Sequence, residues 1–584
     1  MSLATPAAPA PALVCDKPGT WTFATRESTD AGRRVCEYRL TSPVETQPPV
    51  FSIEFERPQV DMHHVWFPHA EPDRCHLQAD RNGNYFSNLS FALPLCVVFN
   101  DSDGNRVTIA NTESLRHVVY QVGVIEAGDR VLFRMRFFTQ AEAPMRDYAV
   151  KVMIDERPVR WDTAAAEAAE WIRRENGFVP AVVPAAAYDP LYSTWYGFHK
   201  DVHAATVEAE CARAARMGMQ TLILDDGWQV DTDVASGYAK VGDWMPAKTK
   251  FPDMAAHVAR VHAIGMKYML WFSLPFVGYD STNFARFRGK YLSTNDRLRA
   301  GVLDPRFPEV RAFLADTLDR AMREWNLDGL KLDFLDAYRI PSEGDPAERD
   351  GYAGRDIRSL PQAVDVMMKE VTRRVTSVKP DALIEFRQNY IGPAIRQYGN
   401  MLRATDCPGD MAGNRMRIAM LRVTSGTTPV HADMLEWHPS DTPENAARPI
   451  LNALFGVIQY SMVLQNLPPA HLAVVDKWLK FSQDHRETLL KGCFKAHHPE
   501  MCYPVLEGES DGERVVVVYS DTVFADLGRL DKPVFLVNAT ARDGLVVEID
   551  GAPRRVAVGK SDFIRLEGED RSNGYFVAVP RPTS

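Results

Sequence analysis

Apolar positions change their period twice along the chain. Up to about residue 160, short β-branched and aromatic runs such as VVFNDSDGNRVTIAN, HVVYQVG and RVLFRMRFFT alternate between Gly, Asn and Asp turns. That is the pattern of antiparallel sheet. Residues 161–176 are rich in Ala and Glu and read as a helix, and the Pro/Ala stretch from Pro180 to Pro190 reads as a linker or wrapping arm. From about 191 to 490, strand-like runs alternate with amphipathic helices. Val310, Leu314, Leu318, Met322 and Trp325 mark one helix face, and Val364, Met368, Val371 and Val375 mark another. Further helices are predicted from near Ala204 and over 254–264. The strand candidates are STWYGF, TLILDDGW, KYMLWFS, LDGLKLDFL, ALIEF, MLRATD, VTSGTTPV and IQYSMVL. Eight strands with helical or long connections favour a closed (β/α)8 barrel over an open doubly wound sheet. Beyond residue 500, ERVVVVYS, KPVFLVN, LVVEID and GYFVAV return to strands and predict a small antiparallel β domain.

Composition narrows the function classes. The chain has 584 residues, 45% hydrophobic and 25% charged, with a net charge of -10. These are ordinary globular values, long enough for several cores. A mildly acidic chain has no bulk electrostatic reason to seek nucleic acid or an anionic membrane, so neither is expected as a partner. The eight Cys have irregular spacing and no CxxC pair, which predicts reduced thiols in a cytoplasmic setting rather than a disulfide framework or zinc site. The Ala/Pro-rich N-terminus lacks the pattern of a secretory leader, and no apolar run of 18 residues predicts a membrane span. No GxGxxG follows a strand and no GxxxxGK[ST] occurs, so a nucleotide fold has little support.

The chemistry follows from what stands at the strand ends. A barrel of this type carries its active site at the C-terminal ends of its strands. Asp225 and Asp226 follow the second strand, Trp271 lies on the third, Lys331 and Asp333 end the fourth, Glu385 and Arg387 the fifth, and Arg403 and Asp406 the sixth. If the barrel closes, these line one carboxylate-rich pocket with aromatic walls. Carboxylates accept hydrogen bonds from hydroxyls and indole faces cover the apolar side of a sugar ring, so a neutral sugar is the expected ligand. Glycoside hydrolysis commonly uses two carboxyl groups, one ionised and one protonated. Lys331 and Asp333, two apart on a strand, both face the lumen, and a nearby ammonium keeps Asp333 ionised as a nucleophile requires. Asp406, in loop context before Cys407-Pro408-Gly409, is the candidate partner, with Arg403 orienting it or binding substrate.

The segments LDDGWQ (224–229), GDW (242–244), MLWF (269–272), LDPRFPEVRAF (303–313), DGLKLDFL (328–335) and RATD (403–406) resemble the α-galactosidase and raffinose-synthase superfamily, especially glycoside hydrolase family 36. The resemblance covers most of 190–490. It implies an N-terminal β-sandwich with helical linker (1–180), a catalytic barrel (181–495) and a C-terminal β domain (496–584). It also implies a retaining, metal-free and cofactor-free α-galactosidase, and homo-oligomers. By the same resemblance Asp333 is the nucleophile and Asp406 the acid/base. Asp225, Asp226, Lys331 and Arg403 contact the sugar, and Trp244 walls the pocket.

Two departures bear on the sugar. Many family members have WFEPE where this chain has WFSLPF, with Ser273 in place of the acid. Many also have a C-x-S-G-G-G-R stretch where this chain has Glu385-Phe-Arg-Gln-Asn-Tyr. Galactose is the first expectation. Another α-linked sugar (N-acetyl, deoxy or acidic) and transglycosylation remain open, with Glu385 and Arg387 as contacts to a different substituent. Arg387 has the fork geometry to receive a carboxylate bidentately. A carbohydrate-binding protein without catalysis is the non-enzymatic alternative, and the intact pair Asp333 and Asp406 argues against it. Trp195 and Tyr196, at the end of the first strand, divide between core and pocket. Asp433 is read as facing substrate or bonding its own loop. His199 and His203, four apart, are not read as metal ligands, because Lys200 and Asp201 between them look like a strand exit and cap. His497-His498 is read as surface, and Cys407 is not read as a thiol nucleophile, for want of a His and carboxylate partner.

Overall fold

The computed structural model describes residues 10–71, 73–230 and 237–567, and the backbone of 576–578. Two antiparallel sheets of five and six strands occupy the N-terminal part and enclose one aromatic-rich core. Phe51 on Phe137 and Phe55 on Phe133 are cross-strand stacked pairs at 4.8 Å, the unit that stabilises such a sheet. A helix over Trp161–Glu175 follows, and its buried face is mostly Ala and Trp.

The central sheet has eight parallel strands, labelled here β1 (Leu191–Ser193), β2 (Thr221–Leu224), β3 (Lys267–Ser273), β4 (Gly329–Asp333), β5 (Leu383–Arg387), β6 (Met401–Arg403), β7 (Val430–His431) and β8 (Gln459–Tyr460). They neighbour one another in chain order, β8 pairs with β1, and parallel bridges His431–Val457 and Leu435–Tyr460 close the ring between β7 and β8. Among the described residues, seven helices longer than ten residues surround it: α1 (Ala204–Met217), α2 (Met254–Ile264), α3 (Pro308–Glu324), α4 (Leu360–Val378), α5 (Met411–Thr424), α6 (Pro443–Ala453) and α7 (Pro469–Asp484). Proline opens α3, α6 and α7 at the first turn, where its missing N–H is no loss. The faces predicted on α3 and α4 are the buried ones. Between β5 and β6 the chain makes only a single 3-10 turn, Ile395–Gln397.

Several predicted strands are shorter than expected, and two of them pass into helix. In STWYGF the strand ends at Ser193, and Trp195–Phe198 forms one helical turn, held where the Tyr196 N–H donates to Ser461 Oγ at 2.9 Å. In VTSGTTPV the β-branched Val423 and Thr424 complete helix α5, whose core face includes Ile418 and Leu421, so tertiary packing overrides local propensity.

The arm after Pro180 runs beneath the barrel. Ala187 packs with Leu191, Ile223, Met269, Leu383 and Met401 and seals the N-terminal end of the lumen. Gly329 is required in β4, because a Cβ there would stand 2.2 Å from the Leu383 carbonyl oxygen of the next strand. The C-terminal strands form a five-stranded and a four-stranded sheet, mostly antiparallel, with parallel pairs of Arg514–Val518 with Val534–Asn538 and of Ala525–Asp526 with Leu545–Ile549. Of the predicted GYFVAV strand, Phe576–Ala578 lies within the described residues and pairs with Ala552–Val556. The flanks are bonded together and to the barrel. Trp66 Nε1 donates to Tyr503 Oη at 3.0 Å, and the Ala92 N–H donates to the Asn389 carbonyl at 3.0 Å, in the loop that follows β5.

Candidate active site

Alternate side chains of each barrel strand point inward, and odd and even strands supply successive layers of the lumen. Above the apolar plug the inward-facing residues turn polar: Ser193, Asp225, Trp271, Lys331, Glu385, Arg403, His431 and Gln459, every one of them buried. Strand register puts Trp271 beside Lys331 and Lys331 beside Glu385. One step higher, Ser273 stands beside Asp333, and Arg387 beside Arg403.

Asp333 accepts hydrogen bonds on both carboxylate oxygens. Its Oδ1 accepts from Arg387 Nε at 2.6 Å and from the Phe334 N–H at 2.8 Å, and the Tyr390 hydroxyl lies 3.1 Å away. Its Oδ2 accepts only from Trp271 Nε1, at 3.1 Å. Burial pushes the acidity of Asp333 down, but the Arg387 guanidinium, the Lys331 ammonium and the Trp271 hydrogen bond outweigh it and hold the carboxyl at about 2. An ionised oxygen with a single partner is therefore aimed into the site. Lys331 does not bond Asp333 directly; its Nζ contacts Asp225 Oδ2 at 2.5 Å.

Arg403, 1% exposed, gathers three carboxylates: Asp433, with which it makes a short ion pair, Asp406 at 2.9 Å, and Glu385 at 3.5 Å. Asp406 is about half exposed at the mouth. Burial raises its pKa, but Arg403 and Lys331 pull it below the ordinary value, against an opposing push from the Asp333 charge. Asp433 and Glu385 are fully buried, and burial raises both despite Arg403. Asp226 is raised for the same reason against Lys200, 3.4 Å away. The lumen thus sets six carboxyl groups, Asp225, Asp226, Asp333, Glu385, Asp406 and Asp433, against four cations, Lys200, Lys331, Arg387 and Arg403. The surplus acid resides where desolvation favours the proton, and Asp333 is left ionised.

The structure brings the sequence candidates together unevenly. Asp225, Lys331, Asp333, Arg387, Arg403 and Asp406 share one connected cluster of ion pairs and fields. Asp226 joins through Lys200 and Gln229, and its Oδ2 carries no hydrogen bond. Gly227 is required in this turn, because at φ +113° a Cβ would stand 2.5 Å from the Lys200 Cα. Glu385 sits low in the lumen, wholly enclosed, and bonds Gln459 at 2.5 Å. It does not pair with Arg387. Trp271 presents its indole N–H to Asp333. Trp244 is 2% exposed and packs among Trp228, Trp271 and Phe272.

Other residues enter the site that the sequence reading had placed elsewhere or passed over. Lys200, read as a strand-exit residue, is buried, faces Asp226 and lies 5.2 Å from the Tyr238 ring centroid. Tyr238 stacks on Trp271 at 6.2 Å and is half-buried at the mouth. Tyr390 anchors Asp333 and comes from the QNY segment after β5, where only the absent family motif had been noted. The Tyr196 hydroxyl donates to Asp433 Oδ2 at 2.8 Å, and the Cys407 N–H donates to the same oxygen at 2.6 Å. Burial raises the Cys407 thiol.

His199 packs against Trp195 in a tilted contact, ring centroids 4.7 Å apart, and His203 bonds Asp201 at 3.1 Å. His497 and His498, read as surface, are instead half-buried between the flanking domains, against Asp103 and Glu500. Asp103, His498 and Glu500 are close enough for their ligand atoms to share a cation, but they already bond one another: the His498 N–H to Asp103 at 3.1 Å and His498 Nδ1 to Glu500 at 3.1 Å. None of the eight Cys is paired. Among the described residues no helix is long and apolar enough to cross a membrane.

Fold and site together define a (β/α)8 barrel between two β domains, with a carboxylate- and cation-filled lumen closed by aromatics. The melibiase family profile matches residues 186–492, more than half of the chain, and the chain belongs to that family. It is 27% identical over 202 residues to α-galactosidase Mel36A of Lactobacillus acidophilus, covering 33% of this chain and 26% of that protein. It is 26% identical over 187 residues to the A type blood α-D-galactosamine galactosaminidase of Flavonifractor plautii, covering 29% and 16%. The matched segments therefore span about a quarter or less of these relatives. Among solved structures, the α-galactosidase of Lactobacillus brevis superposes with a TM-score of 0.63 at 16% identity over 98% of this chain and 83% of that one. The GH36 α-galactosidase AgaA of Geobacillus stearothermophilus does so at 0.61 and 14%, over 97% and 80%. These likenesses establish the shared fold.

Proposed function

We propose that the protein is a retaining glycoside hydrolase that removes terminal α-linked galactose from oligosaccharides or glycosides. The observation that carries the reading is Asp333, ionised, fixed by Arg387, Trp271 and Tyr390, and with Oδ2 left almost free. In the proposed reaction Oδ2 attacks the anomeric carbon and the bond to the leaving oxygen breaks. Asp406 supplies the proton to that oxygen. Asp406 then takes a proton from water, which displaces Asp333 and restores the starting configuration. As the general acid, Asp406 must carry a proton when substrate arrives. Expelling water from its half-exposed side raises its affinity for that proton, in the direction already set by the Asp333 charge. Asp225, Lys331 and Arg403 would hold the sugar hydroxyls from below, with Asp226 Oδ2, 3.4 Å from Lys200, as a further acceptor.

A second reading has its own support. The relative from Flavonifractor plautii is named for galactosamine, so a 2-amino sugar is the alternative ligand in the same frame. The test is an initial-rate screen over p-nitrophenyl α-glycosides of galactose, N-acetylgalactosamine, glucose, fucose and xylose, with Asp333→Ala as control. Selective α-galactoside turnover that Asp333→Ala abolishes, with folding retained, is the expected result. Turnover of another glycoside alone moves the specificity, and a wild-type rate in Asp333→Ala removes Asp333 from the reaction. Assembly into homo-oligomers in the cytoplasm is part of the same proposal.

A further inference from the structure

Between the loops that follow β6 and β7 lies a cavity of about 310 Å³, at the lower end of the range for small-molecule sites. Its wall begins at Cys407 and Met434, the chain neighbours of Asp406 and Asp433. Asn414, also in the wall, clamps the Asp433 backbone from both sides at 3.0 Å. The cavity is thus built onto the carboxylate cluster, one residue along the chain from Asp406 and from Asp433.

Two features of its lining call for a ligand. Trp437 is half-buried and held in place, its Nε1 bonded to His471 Nδ1 at 3.2 Å, while His471, 2% exposed, bonds the Asp441 carbonyl at 2.8 Å. An indole fixed edge-on keeps a face for an apolar surface. Arg448 and Glu436 both line the cavity, and among the described residues neither has an ion-pair partner. Arg448 Nε is enclosed without any hydrogen bond, and burial raises Glu436. Unspent donors and acceptors beside a locked aromatic face are what a ring carrying hydroxyl groups requires.

We propose that this cavity is the subsite for the leaving-group saccharide, with Trp437 as its platform and Arg448 and Glu436 as hydroxyl partners. The assignment rests on the reading of Asp406 as the proton donor. When the glycosidic bond breaks, the oxygen that takes the Asp406 proton departs with its saccharide, and the cavity begins at Cys407, the next residue along the chain. The occupant is a neutral saccharide rather than an anion, because Asp410, Glu436 and Asp441 line the wall beside Arg448.

The experiment compares kcat/KM for a linear α-galactosyl trisaccharide with that for α-galactosyl fluoride, whose one-atom leaving group cannot reach the cavity. Trp437→Ala lowers the trisaccharide-to-fluoride ratio by about tenfold or more, equivalent to about 1.4 kcal/mol. Trp437→Phe recovers most of it, and Arg448→Met lowers the ratio in its own right, so a poorly folded Trp437→Ala does not spare the proposal. A ratio unchanged in both Trp437→Ala and Arg448→Met overturns the subsite while leaving the hydrolase reading intact. A wild-type protein that hydrolyses neither substrate overturns that reading and the subsite with it.

Discussion

Replacing Arg387 by Met should move the acidic limb of activity without moving the substrate. Arg387 Nε sits 2.6 Å from Asp333 Oδ1, and its guanidinium packs 5.2 Å from the Phe334 ring and 5.4 Å from the Tyr390 ring. Holding a carboxyl at about 2 rather than its ordinary 3.8 corresponds to about 2 kcal/mol in favour of the anion. A single opposite charge about 4 Å away, centre to centre, contributes about 4 kcal/mol at an effective dielectric of about 20. The contact is therefore larger than the net effect, and its loss leaves burial ahead of Lys331 and Trp271. Asp333 should then rise past its ordinary value, by about three pH units in all. The assay is kcat/KM against pH with an activated aryl α-galactoside, measured by brief pH jumps so that unfolding does not intrude. In the wild type the acid side stays flat down to the lowest pH at which the protein survives. In Arg387→Met a limb appears in the mildly acidic range, and Arg387→Lys, which restores the charge, moves it back. A uniform loss across pH with no new limb would refute the reasoning and make Arg387 a substrate contact rather than the group that sets Asp333.

Two further outcomes separate roles within the lumen. Asp406→Ala should slow glycosides with poor leaving groups far more than activated aryl glycosides, whose departure needs little protonation. Equal losses on both series would count against Asp406 as the acid. His431, fully enclosed and bonded to the Ala187 carbonyl, is pushed down to about 3 by burial and by the Arg403 charge. Its folded affinity for protons lies below the unfolded value of about 6.5, so its contribution to stability is complete above that pH and is lost as pH falls toward 3. Between pH 7 and 5 it should cost the wild type about 2 kcal/mol of unfolding free energy, and His431→Gln should flatten that part of the urea-denaturation profile. An identical slope in the two proteins would mean that His431 does not govern it.

The elements were largely legible because the period of apolar residues reports burial directly. The faces of α3 and α4 and most barrel strands fall where that period puts them. Where the reading slipped, at Trp195–Phe198 and at Val423 and Thr424, β-branched or aromatic residues were carried into helical turns by contacts with distant parts of the chain. The candidate carboxylates were legible for a related reason: an acid at the end of an apolar strand has few explanations. Lys200, Tyr238 and Tyr390 were not, since they lie outside the strands and reach the lumen only through the turn at Gly227, the loop beyond it and the loop after β5.

The pairing of charges was the least legible part, and strand geometry explains why. Lys331 with Asp333, and Glu385 with Arg387, look like pairs because they are two residues apart. In a strand, however, such residues are about 6.6 Å apart along the chain, whereas adjacent strands lie about 4.8 Å apart. The shorter route to a partner therefore runs sideways or across the lumen. Asp333 takes Arg387 from β5, Glu385 takes Arg403 from β6, and Lys331 reaches over to Asp225 after β2. This displacement gives each carboxylate a different environment although their sequence contexts look alike. Asp333 receives the cation most directly and stays ionised, whereas Glu385, one layer deeper and 3.5 Å from a shared arginine, is driven toward its neutral form. Layer and neighbour, rather than spacing along the chain, therefore decide which acid in the lumen remains ionised.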